Sequence, residues 1–92
     1  MFKVKSNTNP NKLAGAITIT LRERKTVELQ CIGAASVNQA TKAIIIANGF
    51  LNPVGMEMQI KPSFYTIEIE GMNRTCIKFS LDIKGNEKEN LE

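Results

Sequence analysis

The stretch that decides the fold is residues 9–32, which read NPNKLAGAITITLRERKTVELQCI. Asn9 followed by Pro10 is typical of a helix start, because asparagine caps free N–H groups and proline needs no donor at the first helical position. The apolar residues that follow recur at helical spacing: Leu13, Ala14, Ile17 and Leu21. Residues 27–32 then alternate apolar and polar side chains, as in a half-buried strand. The stretch therefore predicts a helix over residues 10–25 that leads into a strand.

A further strand precedes this helix, since residues 2–5 also alternate apolar and charged side chains. Strand, helix and strand within the first 32 residues indicate a βαβ unit. In such a unit the two strands are parallel and the connection is right-handed. We therefore expect the first two strands to lie parallel in one sheet.

A second helix is predicted over residues 37–51, before Asn52 and Pro53. Ser36 and Gln39 have the spacing of a capping box, in which the Gln39 amide reaches back to the Ser36 N–H. One broad face of this helix is apolar: Val37, Ala40, Ala43, Ile44, Ala47, Phe50 and Leu51. Ile45 lies among polar residues on the opposite face. It is either an isolated exposed side chain or part of an oligomer interface.

The remaining residues alternate as strands over 56–61, 64–70 and 75–84, with a hairpin turn at 71–74. Pro62 and Ser63 interrupt the first of these, which fits an edge strand or a bulge. In the last strand the inward residues are Ile77, Phe79, Leu81 and Ile83, and the outward ones are Cys76, Lys78, Ser80 and Asp82. The fold class is therefore α/β (two-layer α+β), in the order β-α-β-α-β-β. It has a four-stranded mixed sheet with two helices on one face. One domain spans residues 1–84, and a flexible polar tail covers 85–92.

Composition narrows the function classes. The 92 residues carry a net charge of only +3, which permits nucleic-acid binding without indicating it. No signal peptide or membrane segment is recognisable, so we expect a cytoplasmic protein without a membrane partner. Histidine is absent, and Cys31 and Cys76 are isolated in predicted strands, so no metal site is expected and Cys31 is interpreted as a buried apolar residue. Asp82 is the only aspartate and no phosphate-binding loop occurs, so we expect neither an enzyme nor a cofactor.

Residues 32–50, IGAASVNQATKAIIIANGF, resemble the stage V sporulation protein S (SpoVS) family. The segments Pro10-Asn11, 14–16, 21–24 and Arg74-Thr75 extend the resemblance to about residue 84. This family is similar in fold to Alba, a small chromatin and RNA-binding protein. The resemblance implies a cytosolic regulator of sporulation or cell development that binds nucleic acid, either DNA or RNA. It also implies a homodimer, or a tetramer.

In Alba-like proteins the nucleic acid lies across three places, which correspond here to residues 5–12, 32–42 and 70–74. The resemblance thus implies nucleic-acid contacts from Lys5, Lys12, Gly33, Ser36, Asn38, Lys42 and Arg74. Gly33, Ser36 and Asn38 precede or begin a helix, where N–H groups favour an anion, although Ser36 and Gln39 could simply cap that helix. The chain departs from Alba in two places: its turn at 32–37 is uncharged, and Glu68 and Glu70 accompany Arg74. A protein-interaction or assembly module, without nucleic-acid contact, is therefore the alternative.

Overall fold

Two helices and four strands form one layered unit in the computed structural model, which describes residues 1–85. The elements are β1 (Phe2–Val4), α1 (Pro10–Arg24), β2 (Thr26–Cys31), α2 (Ala34–Leu51), a 3₁₀ turn (Asn52–Val54), β3 (Met58–Ile69) and β4 (Met72–Ile83). This confirms the predicted order β-α-β-α-β-β. The predicted tail lies outside the described residues, except for Gly85.

The sheet has the strand order β1-β2-β4-β3. β1 pairs with β2 in parallel, as the βαβ pattern predicts, and β4 is antiparallel to both of its neighbours. β2 ends where Cys31 pairs with Ile77, whereas β3 and β4 remain paired as far as Ile69 and Met72. Residues 65–76, which we call the hairpin arm, therefore project beyond the end of β2.

Both helices pack on the same face of the sheet. Strand alternation places Val27, Leu29 and Cys31 of β2 on that face, and all three are buried in the core as predicted. Fully buried alanines let the two helices approach closely: Ala14, Ala40, Ala43 and Ala47. Phe50 was expected in this core but remains 59% exposed, because it lies at the margin of the buried arc in the last turn of α2.

β3 is one continuous strand paired with β4 throughout, so the expected interruption at Pro62 and Ser63 is wrong, whereas the expected edge strand is confirmed. A proline fits here because β3 is an edge strand, where the missing N–H faces solvent. Continuous register places Ile60 and Tyr65 on opposite faces of the sheet. The hairpin turn lies at Glu70 and Gly71 rather than at residues 71–74. Both residues have positive φ, 51° and 76°, as a two-residue type I′ turn requires.

Candidate nucleic-acid interface

Three connecting segments meet at one end of the sheet. β1 and β2 are parallel, so they end side by side: Val4 pairs with Cys31, and the Ile32 N–H donates to the Val4 carbonyl at 3.5 Å. Lys5 and Gly33 then begin the connections into the two helices. The hairpin arm projects from the same end. Cys31, the last residue of β2, pairs with Ile77 of β4, and the pairing of β3 with β4 extends beyond Ile77 as far as Met72.

Gln39 ties the first connection to the second helix. Its Nε2 donates to the Thr8 carbonyl at 2.9 Å. Thr8 in turn accepts at Oγ1 from the Lys5 N–H (2.8 Å) and donates its own N–H to the Lys5 carbonyl (3.1 Å). Gln39 thus holds the turn that carries Lys5. The predicted contact of Gln39 with the Ser36 N–H is wrong, and a bond across 31 residues leaves no local signal in the sequence.

The start of α2 also adjoins the base of the hairpin arm. A shallow cleft between them is lined by Cys31, Gly33, Ala34, Val37, Thr75, Cys76 and Ile77. Together with the Gln39–Thr8 bond, this cleft joins residues 5–12, 33–42 and the arm into one continuous surface. We call it the β1/α2/arm surface.

The second helix begins at Ala34, three residues earlier than predicted, because Gly33 is its N-cap. Gly33 has φ 90° and ψ 156°, a conformation that residues with a Cβ rarely adopt. No side chain in the described chain caps this helix start. The N–H groups of exposed Ala34 and Ala35 therefore have no side-chain cap, whereas the Ser36 N–H donates to the Gly33 carbonyl at 3.2 Å.

Ser36 has a structural position rather than an exposed one. Its side chain is fully buried, and its hydroxyl donates to the Gly33 carbonyl at 2.5 Å. A ligand at the helix start cannot reach this hydroxyl, so the contact expected of Ser36 is corrected to support of the Gly33 turn. Asn38 and Lys42, also on α2, are both exposed.

Electrostatics favour an anion at this end. Both helices point their N-termini towards it, and neither has an acidic residue in its first turn. At the start of α1, Asn9 Oδ1 accepts from the N–H groups of Asn11 (2.9 Å) and Lys12 (3.2 Å), which confirms the predicted cap. Lys5 and Lys12 are exposed before and within the first turn of α1, and Lys42 is exposed in the middle of α2, about 12 Å along the helix from Ala34. The two salt bridges formed within residues 1–85, Lys78–Glu28 and Lys84–Glu57, leave these lysines unpaired.

Arg74 is less closely associated with the lysines. It pairs with Ile67 and alternates with Cys76, which places it on the sheet face away from the helices. Glu68 and Glu70 are exposed in the same arm, but Glu68 pairs with Asn73 and so lies on the opposite sheet face. The structure thus places Lys5, Lys12, Gly33 and Asn38 around the helix starts, and Lys42 further along α2. Arg74 approaches from the projecting arm.

The family model of stage V sporulation protein S (SpoVS) matches residues 1–84. The chain belongs to the SpoVS family. The resemblance read from residues 32–50 is thereby confirmed, and with it a relation to sporulation.

The fold of this SpoVS chain is similar to that of Alba from Thermoplasma volcanium. The TM-score is 0.59 at 10% sequence identity, and the match covers 88% of this chain and 96% of that chain. At this identity the likeness concerns the fold alone, and it confirms the predicted Alba-like architecture.

Both cysteines of the SpoVS chain are buried, and Cys31 stays protonated at neutral pH. Cys31 is buried as predicted, and burial, with a smaller contribution from Cys76, raises its pKa to about 11. Cys76 lies on the outward face as expected, yet it too is buried, beside its cross-strand partner Tyr65. Burial, and then Cys76, raise the pKa of Tyr65. A thiol that stays protonated is a poor nucleophile, so neither chemistry nor thiolate ligation is favoured at Cys31.

We predict that the SpoVS chain loses stability in alkali because of Cys31. The folded thiol binds its proton more tightly than the unfolded thiol, whose pKa is near 9.0, so stability is complete below pH 9 and falls as the pH rises towards 11. The free energy of unfolding should drop by about 2 kcal/mol by pH 11. Urea denaturation at several pH values measures this drop, and Cys31→Ala should flatten it. If the free energy of unfolding fell equally steeply with pH in the wild type and in the Cys31→Ala variant, Cys31 would not be the cause.

Residues 1–85 contain no group of three or more His, Cys, Asp or Glu side chains that could hold a metal ion. Neither helix in this part of the SpoVS chain has the length and apolar character needed to cross a membrane.

Proposed function

We propose that this SpoVS chain is a non-enzymatic, nucleic-acid-binding regulatory protein that acts in the cytoplasm in sporulation or developmental control. The observation that carries the proposal is the β1/α2/arm surface, where two helix N-termini and the exposed Lys5 and Lys12 lie at the same end of the sheet, with exposed Lys42 further along α2. Such an end attracts phosphate through N–H donors, helix dipoles and cations together.

The contacts that this surface offers fix the position of the nucleic-acid backbone rather than read its bases. Lysines and backbone N–H groups bind phosphate oxygens and carry no base information by themselves. Asn38 is an exposed amide side chain near the start of α2, of the kind that can hydrogen-bond to a base edge. We therefore propose binding with little sequence preference.

The number of cations limits the affinity. Lys5, Lys12, Lys42 and Arg74 provide four positive side chains, and Glu68 and Glu70 oppose the last of them. Each phosphate contact releases counterions, so four contacts give a slope of about −3.6 in a plot of log affinity against log salt. The proposal therefore implies moderate binding with a shallow salt dependence.

A salt titration of binding to a short DNA duplex and to a matched RNA tests the proposal. Fluorescence anisotropy should show binding at low salt, with a slope of about −3 to −4 for the preferred nucleic acid. The difference between the two curves distinguishes DNA from RNA as the ligand. Failure to bind either one at about 20 mM salt would contradict the proposal.

One observation favours the alternative, a protein-interaction or assembly module without nucleic-acid contact. Ile45 is 66% exposed on α2, as its position among polar residues predicts. A homodimer, or a tetramer, could form through such a side chain. Assembly and nucleic-acid binding are compatible, because Ile45 lies outside the β1/α2/arm surface.

A further inference from the structure

Both helices pack on one side of the sheet, so within residues 1–85 no element covers the other side. Strand pairing aligns four polar side chains in one row across that bare side, in the order Lys3, Gln30, Lys78 and Ser63. Neighbouring strands lie about 4.8 Å apart, so the row is about 14 Å long. We call the side of the sheet that carries this row the outer sheet face.

The outer sheet face is basic towards the hairpin arm. Strand alternation places four cations on it: Lys3, Lys61, Arg74 and Lys78. The strands also place two carboxylates there, Glu28 and Asp82, and both lie on the side of the row away from the arm. From the row to the end of the arm, the strands therefore present cations without a carboxylate on this face.

Arg74 belongs to this face rather than to the helix starts. Arg74 and Lys78 lie four residues apart on β4, which separates them by about 13 Å along the strand. Lys3 lies two residues before Lys5, at which the connection to α1 begins. The outer sheet face and the β1/α2/arm surface therefore meet at the end of β1.

Tyr65 adds an aromatic ring to the outer sheet face. It pairs with Cys76, one row nearer to the end of the arm than the pair of Ser63 and Lys78. Its hydroxyl is buried although the residue as a whole is partly exposed, so a ligand meets the ring rather than the hydroxyl. Aromatic rings among cations are the combination with which proteins bind unpaired bases.

The shape of the face favours a single strand over a duplex. Within the described chain it is a sheet surface without a projecting helix, so it offers nothing of the kind that usually enters the major groove. The bases of a duplex are stacked on one another and cannot reach Tyr65. An unpaired strand can lay its phosphates on the cations and turn a base onto the ring.

Glu28 limits the positive charge of the face. Its carboxylate lies 3.1 Å from the Lys78 ammonium, and the two side chains are 43% and 30% exposed. Water screens a pair that is exposed to this extent, so a phosphate can compete with Glu28 for Lys78. Lys3, Lys61 and Arg74 form no salt bridge within residues 1–85. Three such contacts to a single strand give a salt slope of about −2.

We propose that the outer sheet face binds a single strand of nucleic acid, with phosphates on Lys3, Lys78 and Arg74 and a base on the Tyr65 ring. The proposal takes its class of ligand from the proposed function and adds a second site with a different preference. The β1/α2/arm surface takes duplex phosphates, and the outer sheet face takes an unpaired strand. A duplex with an unpaired end fits both surfaces at once, because they meet at Lys5.

Fluorescence anisotropy with a labelled oligouridylate of about 10 nucleotides tests the proposal. The wild type should bind it at low salt, with a slope of about −2. Tyr65→Leu should weaken this binding by about 5- to 100-fold, because base stacking on the ring is lost. Phe64→Leu is the matched control. Phe64 is 79% exposed on the opposite face of the same strand, so this variant should keep the wild-type affinity.

Glu28→Gln should act in the opposite direction. Loss of the carboxylate leaves Lys78 free for phosphate, so the affinity for the oligouridylate should rise about threefold and the salt slope should steepen by about 0.7. Glu28 lies outside the core, so this variant remains informative if Tyr65→Leu fails to fold.

A short DNA duplex separates the proposal from the proposed function. Tyr65→Leu should leave duplex binding unchanged. Duplex binding without oligouridylate binding would overturn the outer sheet face as a site and leave the proposed function intact, whereas binding of neither would contradict both. Wild-type affinity for the oligouridylate in folded Tyr65→Leu or in Glu28→Gln would also overturn the proposal, as would an equal loss in Phe64→Leu.

Discussion

Replacing Lys12 and Lys42 together by alanine should weaken duplex binding by roughly 10- to 100-fold near 0.1 M salt. Both side chains are exposed, Lys12 in the first turn of α1 and Lys42 in the middle of α2. Loss of two phosphate contacts should also reduce the salt slope by about 1.8. Anisotropy titrations of both proteins at several salt concentrations measure the two effects. Thermal unfolding should change little, because neither lysine contributes to the core.

Arg22 and Arg24 offer the matched control for charge. They lie in the last turn of α1, at the opposite end of the sheet, and are exposed. Replacing both arginines by alanine removes two positive charges from the chain, as many as the Lys12 and Lys42 double replacement removes. If net charge alone governed binding, both double variants would weaken it equally. Equal losses would therefore contradict a localised interface.

Gly33→Ala should destabilise the fold by about 1 to 3 kcal/mol. Gly33 combines φ 90° with ψ 156°, a backbone region essentially limited to glycine. An added Cβ would meet no described atom within 4 Å, so the cost arises from the backbone alone. Relief of this strain would move the first N–H groups of α2, so nucleic-acid binding should weaken as well. Urea denaturation measures the stability loss.

Gly49→Ala is the control for this substitution. Gly49 lies inside α2, is exposed and also has open space around its missing Cβ. Alanine is the better helix former, so this variant should gain about 0.5 to 1 kcal/mol. A loss of stability in Gly33→Ala and a gain in Gly49→Ala would identify the backbone conformation of Gly33 as the cause. A neutral or stabilising Gly33→Ala would show that the turn tolerates ordinary side chains.

The fold could be predicted because its decisive patterns are local. Asn9 and Pro10 mark a helix start within two residues, and Val27, Leu29 and Cys31 show the strand period directly. Errors arose where tertiary context outweighed a local pattern. Pro62 was expected to interrupt the strand at an edge or a bulge, and only the order of all four strands shows that the edge strand is correct and that the strand is continuous.

The candidate site was predictable only in part. The segments around Lys5, Gly33 and the arm were located through the family resemblance, and the parallel pairing of β1 with β2 explains physically why they adjoin. Gln39 was missed as a support, because its partner Thr8 lies 31 residues away and a capping box offered a simpler explanation. The burial of Ser36 could not be predicted from the sequence either, because α2 begins three residues earlier than the pattern indicates.

The central claim is that residues 5–12, 33–42 and the tip of the hairpin arm act as one contact surface. Titration of ¹⁵N-labelled protein with a short duplex, followed through the backbone amide signals, tests it most directly. The account predicts that the perturbed amides cluster in those three segments, with Gly33, Ala34 and Ala35 among the most affected. Perturbations confined to residues 22–26 and 52–58, at the other end of the sheet, would contradict it.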